Sequence, residues 1–107
     1  MPLIMSRKGV IHEGLTDHDH LVSNGLDLLP TLCDAAGIEP PEDIHGRSLL
    51  PLANGNDGVD WRDAVVSESL HGRMVRTDRF KYSVYFSGEN REQLVDLKND
   101  PGEMINL

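Results

Sequence analysis

A chain of 107 residues with 38% hydrophobic and 26% charged side chains is sized for a small folded protein with a limited core, and its composition is not that of a disordered segment. Ten Lys and Arg against eighteen Asp and Glu give a formal charge of −8, which excludes a general nucleic-acid binder because neutralising phosphates takes clustered cations. The lone Cys33 excludes an intrachain disulfide and a multi-cysteine zinc site, and no apolar run approaches the roughly 20 residues needed to span a bilayer.

Along the chain, Met1 to Ser6 is a short apolar run ahead of the polar Arg7-Lys8-Gly9 and predicts a buried strand entering a loop. From Val22 to Gly37 the residues Val22, Leu26, Leu29, Leu32, Cys33 and Ala36 recur at three- and four-residue spacing, the stripe of an amphipathic helix that stops at Gly37. Pro30 places the start of the regular helix near Asp27, with proline in its first turn. Glu39-Pro40-Pro41-Glu42-Asp43 predicts an extended surface loop, and Ser48 to Leu52 a short helical turn capped by Ser48. The turn cluster Asn54 to Gly58 marks a boundary between two subregions.

After Trp61 come short β-rich runs, Ala64 to Ser69, Arg73 to Thr77, Phe80 to Phe86 and Gln93 to Leu97, which predict a small antiparallel meander. Phe80, Tyr82, Val84 and Phe86 alternate with Lys81, Ser83 and Tyr85, so one face is expected to pack inward and the other to meet water. Asp78-Arg79 and Ser87 to Asn90 supply the turns. Asp100-Pro101-Gly102-Glu103 has the signature of a helix start, yet only Met104 to Leu107 follow, so a truncated helix is expected. The fold class is α+β, with residues 1–60 and 61–107 as the two divisions, and both termini read as cut from something longer.

No self-contained catalytic site is visible. Asp17-His18-Asp19-His20 alternates acids and imidazoles but sits in a polar loop, and His12 and His45 lie in similar loops, so these read as surface residues rather than metal ligands or bases. Ser, His and Asp occur without a nucleophile-elbow setting, and Cys33 falls on the apolar stripe as a structural thiol. Residues 1–60 hold three basic and ten acidic side chains, against seven and eight in 61–107, so an anion site is expected in the second half. There His71, Arg73, Arg76, Arg79 and Lys81 fall within twelve residues. Arginine offers a planar fork for sulfate, phosphate or carboxylate, and His71 could reach a substrate hydroxyl, which makes His71 and Arg73 the substrate-binding candidates. The competing reading is that these cations pair with Glu68, Asp78 and Asp96 on the sheet.

Phrases in order along the chain carry a resemblance: Pro2-Leu3-Ile4, Leu21-Val22-Ser23, Asp27-Leu28-Leu29-Pro30-Thr31-Leu32, Ala36-Gly37-Ile38 and Gly46-Arg47-Ser48-Leu49-Leu50-Pro51-Leu52. They continue with Arg73 to Tyr82, Leu94-Val95-Asp96-Leu97, Asp100-Pro101-Gly102-Glu103 and Asn106-Leu107. In order and spacing the chain resembles the carboxy-terminal part of formylglycine-dependent sulfatases of the alkaline-phosphatase-like superfamily. A small departure is Val95, where that family usually has tyrosine, at what reads as an exposed strand position.

The resemblance implies a parent that hydrolyses sulfate esters or sulfamates, on a carbohydrate, using calcium and formylglycine. The Cys/Ser-x-Pro-x-Arg nucleophile motif, the calcium-binding acids and the catalytic lysine of that family are missing, and Asp17-His18 and Asp19-His20 lie on the wrong side of the first strand to serve as the family's calcium pair. No cofactor, metal ligand or catalytic residue is therefore expected in the chain itself. Its expected partner is the remainder of a sulfatase catalytic domain, with self-association through exposed edges and no nucleic-acid or membrane partner. The alternatives are a stand-alone interaction module using its β edge or Arg-rich strand, and a split or degenerate sulfatase completed by another chain.

Overall fold

Proline has no backbone N–H, so a helix that runs past one leaves the carbonyl four residues earlier without its helical donor. The computed structural model describes residues 2–107, in two units, Met1–Trp61 and Arg62–Leu107. In the first unit helix α1 spans Asn24–Ala36 with Pro30 inside it. The Leu26 carbonyl, which Pro30 cannot serve, faces Gly46: a Cβ at residue 46 would stand 1.7 Å from that oxygen and 3.1 Å from Pro30 Cγ, so only hydrogen fits. The expected start near Asp27 is thus corrected to Asn24, because a distant glycine packs against the carbonyl that the proline leaves open.

The helix N-terminus is closed by Asp27 rather than by Ser23, whose side chain makes no capping bond. Asp27 is fully buried; one carboxylate oxygen accepts the Ser23 N–H at 2.8 Å and the other accepts the Arg47 N–H at 3.0 Å. One turn on, Thr31 Oγ1 donates to the Asp27 carbonyl and accepts the Leu49 N–H, and Ser48 Oγ donates to the Asp34 carboxylate. Residues 46–49 are therefore fastened along α1 by polar contacts. At the far end Gly37 adopts left-handed backbone (φ 71°), and the N–H groups of Gly37 and Ile38 return to the Asp34 and Cys33 carbonyls. Helix α2, Leu50–Ala53, follows with Pro51 in its first turn, and the Leu50 N–H reaches Ser48 Oγ.

This lock selects which face of α1 is buried. Asp27, Pro30, Thr31 and Cys33 face inward, whereas Leu28, Leu29 and Leu32 remain 47–58% exposed. Cys33 is buried as its spacing suggests, but the leucine stripe is not the packed face. The run Pro2 to Ser6 is also corrected: it joins no sheet, and Ile4 is 86% exposed, because nothing among the described residues pairs with it.

In the second unit β1 (Val65–Ser69), β2 (Gly72–Arg76), β3 (Phe80–Tyr85) and β4 (Glu92–Asp96) form an antiparallel sheet in the order β1-β2-β3-β4. The class is α+β, as the sequence indicates. Of the two faces that the alternation separates, the one opposite the aromatic rings is covered: Ser83 and Val95 are buried while Phe80 and Phe86 are 39% and 50% exposed. Lys81 pairs across the strands with Val95, and Glu103 folds back to form an ion pair with Lys81, so the covered face is the one carrying lysine, serine and valine. Val95 is therefore not at an exposed position.

The expected terminal helix is absent. Asp100 closes a turn by accepting the Glu103 N–H on its carbonyl and the Ile105 N–H on its carboxylate. The chain then lies along β4, where Leu107 donates to the Leu94 carbonyl and the Asn106 amide bonds to Leu94 N–H and the Glu92 carbonyl. A single turn does not recover its nucleation cost, and these edge bonds win.

Gly46→Ala is expected to cost about 3 kcal/mol or more by forcing the loop off α1, and Asp27→Ala about 2–4 kcal/mol by removing the acceptor for two part-buried N–H groups. Urea unfolding followed by Trp61 fluorescence measures both, and wild-type stability in either variant would contradict the lock.

Candidate functional site

β1 and β2 pair Ser69 with Gly72, leaving Leu70 and His71 as the two exposed residues of the hairpin turn. The His71 N–H donates to Ser69 Oγ at 3.3 Å and its carbonyl accepts the Phe86 N–H at 3.0 Å, so the backbone is held while the ring has no partner among the described residues. Arg73, one residue into β2, places its guanidinium 5.7 Å from the Phe86 ring centroid and donates from Nε to Glu68 at 2.8 Å. His71 and Arg73 thus share one hairpin end and one aromatic neighbour. Glu68 draws off part of the arginine's charge, and the terminal guanidinium nitrogens make no hydrogen bond among the described residues.

Of the other cations singled out in the sequence, two are structural. Arg79 grips Asp96 with Nε and Nη2, the latter at 2.9 Å, and stacks 4.8 Å from the Phe80 ring. Asp96 also accepts the N–H groups of Lys98 and Asn99 and the Asn99 side-chain amide. The Arg79 bond above all, with these N–H donors, holds the Asp96 carboxyl at about 2 against the opposing effect of burial. Lys81 pairs with Glu103. Arg76 and His71 are in no ion pair among the described residues.

In the first unit Asp17 is engaged internally. Its Oδ1 accepts the N–H groups of Asp19 and His20, and its Oδ2 meets His20 Nδ1 at 2.7 Å. Burial pushes the Asp17 carboxyl up, but these bonds outweigh it and leave it lowered. The His20 ring stands edge-on to Trp61, whose indole N–H donates to the Leu21 carbonyl, while the Arg47 guanidinium lies 5.9 Å from the Trp61 ring centroid and bonds to the Asp60 carbonyl. A cavity of about 150 Å³, lined by residues including Leu3, Ile11, Leu15, Leu49 and Leu52, has His12, Asp17 and His20 on its wall and is as polar as it is apolar. No group of three or more His, Cys, Asp or Glu side chains able to hold a metal ion occurs among the described residues.

A second recess was not legible as a site in the sequence. On the face of the hairpin opposite Arg73's side chain, Ser67, Ser69, Gly72, Met74, Ser83 and Tyr85 border a cup of about 190 Å³. Serines alternating along strands read as a solvent face, and only the cross-strand register gathers them.

With this geometry in hand, comparison with known proteins is informative. The family model for the carboxy-terminal region of N-sulphoglucosamine sulphohydrolase matches residues 1–107. A Δ4,5-hexuronate-2-O-sulfatase of Bacteroides thetaiotaomicron is 47% identical over 98 residues, covering 83% of this chain and 20% of that protein. An N-acetylglucosamine-6-O-sulfatase of the same organism is 33% identical, covering all of this chain and 21% of its own length. The solved structure of a 2-O GAG sulfatase superposes with a TM-score of 0.74 at 44% identity, covering 91% of this chain and 23% of that one. The chain spans about a fifth of the length of the relatives it matches.

The Asp96 carboxyl supplies a pH prediction. Because its folded value, about 2, lies below the ordinary carboxylate value near 3.8, its stabilisation is complete above roughly pH 4 and is lost as pH falls through about 2. Acid titration followed by the near-ultraviolet signal of Tyr82 and Tyr85 should show this loss in the wild type and a smaller acid response in Asp96→Asn; identical acid profiles would refute it.

Proposed function

This chain belongs to the carboxy-terminal family of N-sulphoglucosamine sulphohydrolase, and from that premise we propose that it serves as the carboxy-terminal part of an enzyme that hydrolyses sulfate esters or sulfamates on a carbohydrate. Residues 1–60 form a helix and loop portion of the sulfatase main domain, and residues 61–107 a small antiparallel subdomain that buttresses the active site. The observation that carries this reading is the outward leucine face of α1. Leu28, Leu29 and Leu32 stay exposed while a polar lock occupies the inner face, and the partner that covers them is the remaining four-fifths of the sulfatase fold.

Sulfate ester cleavage needs an activated nucleophile, positive charge at the sulfuryl oxygens and an acid for the leaving group. The family places formylglycine and calcium in the full enzyme. This chain's donors do not fit either: Asp17 is spent on its own loop, the metal-binding side chains form no cluster among the described residues, and Cys33 is buried in α1 outside the nucleophile motif. What the chain contributes is binding, with the free guanidinium nitrogens of Arg73 directed to a sulfate group and the unpartnered His71 ring to a substrate hydroxyl.

The purified chain is expected to show no turnover of an aryl sulfate and to co-purify with a co-expressed amino-terminal sulfatase portion, an association that Leu29→Glu with Leu32→Glu abolishes. Turnover by the chain alone, or association indifferent to the leucines, would overturn the reading. Without that partner, exposed Ile4, Met104, Ile105 and Leu107 drive self-association, and a monodisperse monomer by light scattering at high concentration would contradict it.

A second reading, an interaction module, draws on β1. The β4 edge is occupied by the chain's own tail, whereas β1 pairs on one side only and offers its other edge to an added strand. A proline at Val66 that blocks partner capture while the leucine variants do not would favour this module.

A further inference from the structure

We propose that the cup on the β1–β3 face of the second unit is a subsite for the ring of an uncharged sugar; the choice of a sugar among polyhydroxylated ligands rests on the carbohydrate reading above. Strand pairing places Ser67, Met74 and Ser83 in one cross-strand row and Ser69, Gly72 and Tyr85 in the next, all on one face. The recess they border, about 190 Å³, is smaller than the roughly 300–1,000 Å³ of a drug-sized site and suits one ring.

Ser83 is the anchoring observation. It is 7% exposed, its hydroxyl has no hydrogen-bond partner among the described residues, and the oxygen is not sealed from the recess. A hydroxyl that has lost most of its water without gaining a partner costs free energy, and a ligand hydroxyl would complete it. Ser67, also without a partner, stands in the same row. Gly72 keeps the recess open: a Cβ there would lie 2.5 Å from the Val84 carbonyl oxygen and 3.3 Å from Tyr85 Cδ1, so no side chain covers the exposed Tyr85 ring. The two serines thus offer donors and acceptors, and Tyr85 with Met74 offers apolar surface to the C–H face of a ring.

The hydrogen-bonding groups that the recess offers are uncharged hydroxyls. Arg73 borders the cup, but it pairs across the strands with Glu68 and Val84, which turns its guanidinium to the other face, where Glu68 holds it. Arg73 is thus, among the described residues, the one charged residue bordering the cup, with Arg76 one cross-strand row beyond Met74 on the same face, while the exposed His71 lies at the hairpin turn beside Gly72.

The test is an amide-resolved NMR titration of the ¹⁵N-labelled full chain with N-acetylglucosamine, with inorganic sulfate as the anion control. Saturable shifts are expected at Ser67, Gly72, Ser83 and Tyr85 with a millimolar-range Kd; Ser83→Ala should raise that Kd about fivefold, the worth of roughly one neutral hydrogen bond, and Tyr85→Ala about as much by removing the apolar ring face. Sulfate should leave these amides unmoved. Because Ser83→Ala removes one atom, its dispersed amide spectrum reports that the fold is kept. Absence of saturable shifts, shifts centred elsewhere, an unchanged Kd in both variants, or a response to sulfate in the cup would overturn the subsite. None of these bears on co-purification through the leucines, so failure here and failure of the sulfatase reading are distinguishable.

Discussion

The first unit depends on one buried carboxylate. Asp27 has no contact with solvent, and its two oxygens take the backbone N–H of Ser23 at the head of α1 and that of Arg47 twenty residues later. A buried charge without such donors would be costly, so the loop must arrive in register to satisfy it. Once it does, Gly46 falls against the Leu26 carbonyl that Pro30 leaves open, Leu49 N–H meets Thr31, and Ser48 meets Asp34. The Asp-Leu-Leu-Pro-Thr phrase and the Gly-Arg-Ser-Leu phrase are two halves of one fastening.

The second unit repeats the principle with cations. Arg79 with Asp96, Lys81 with Glu103, and Asn106 with the β4 backbone tie the turn, the sheet and the tail together. These residues also carry the family resemblance, so most of what makes the chain recognisable is architecture. Arg73 and His71 stand apart: one is only partly neutralised and the other is unpartnered, both on the exposed end of a hairpin. Residues that hold a fold are satisfied internally, and those available to a ligand are left with spare donors.

A polar fastening also explains how little apolar surface is buried. Cys33, Leu49, Leu52 and Val95 are the buried hydrophobic residues among those described, while the leucines of α1 face outward. Such a chain is short of the apolar burial that sustains a domain of this size, and the same geometry leaves the leucines exposed.

The sequence by itself determined the α+β class, the four strands and their turns, the stop at Gly37, the buried Cys33 and the family. These follow from local periodicity, turn chemistry and the spacing of phrases. It pointed to the wrong face of α1, left open which face of β3 is covered, and pointed to a buried strand at the amino terminus and a helix at the end. Each of those turns on what lies opposite a segment, and period alone names two faces without saying which is covered. The tertiary structure decided them through contacts remote in sequence: Gly46 on Leu26, Arg47 on Asp27, Glu103 on Lys81 and Leu107 on Leu94. The serine cup belongs with these, since Ser67, Gly72 and Ser83 become neighbours only when the strand register is set.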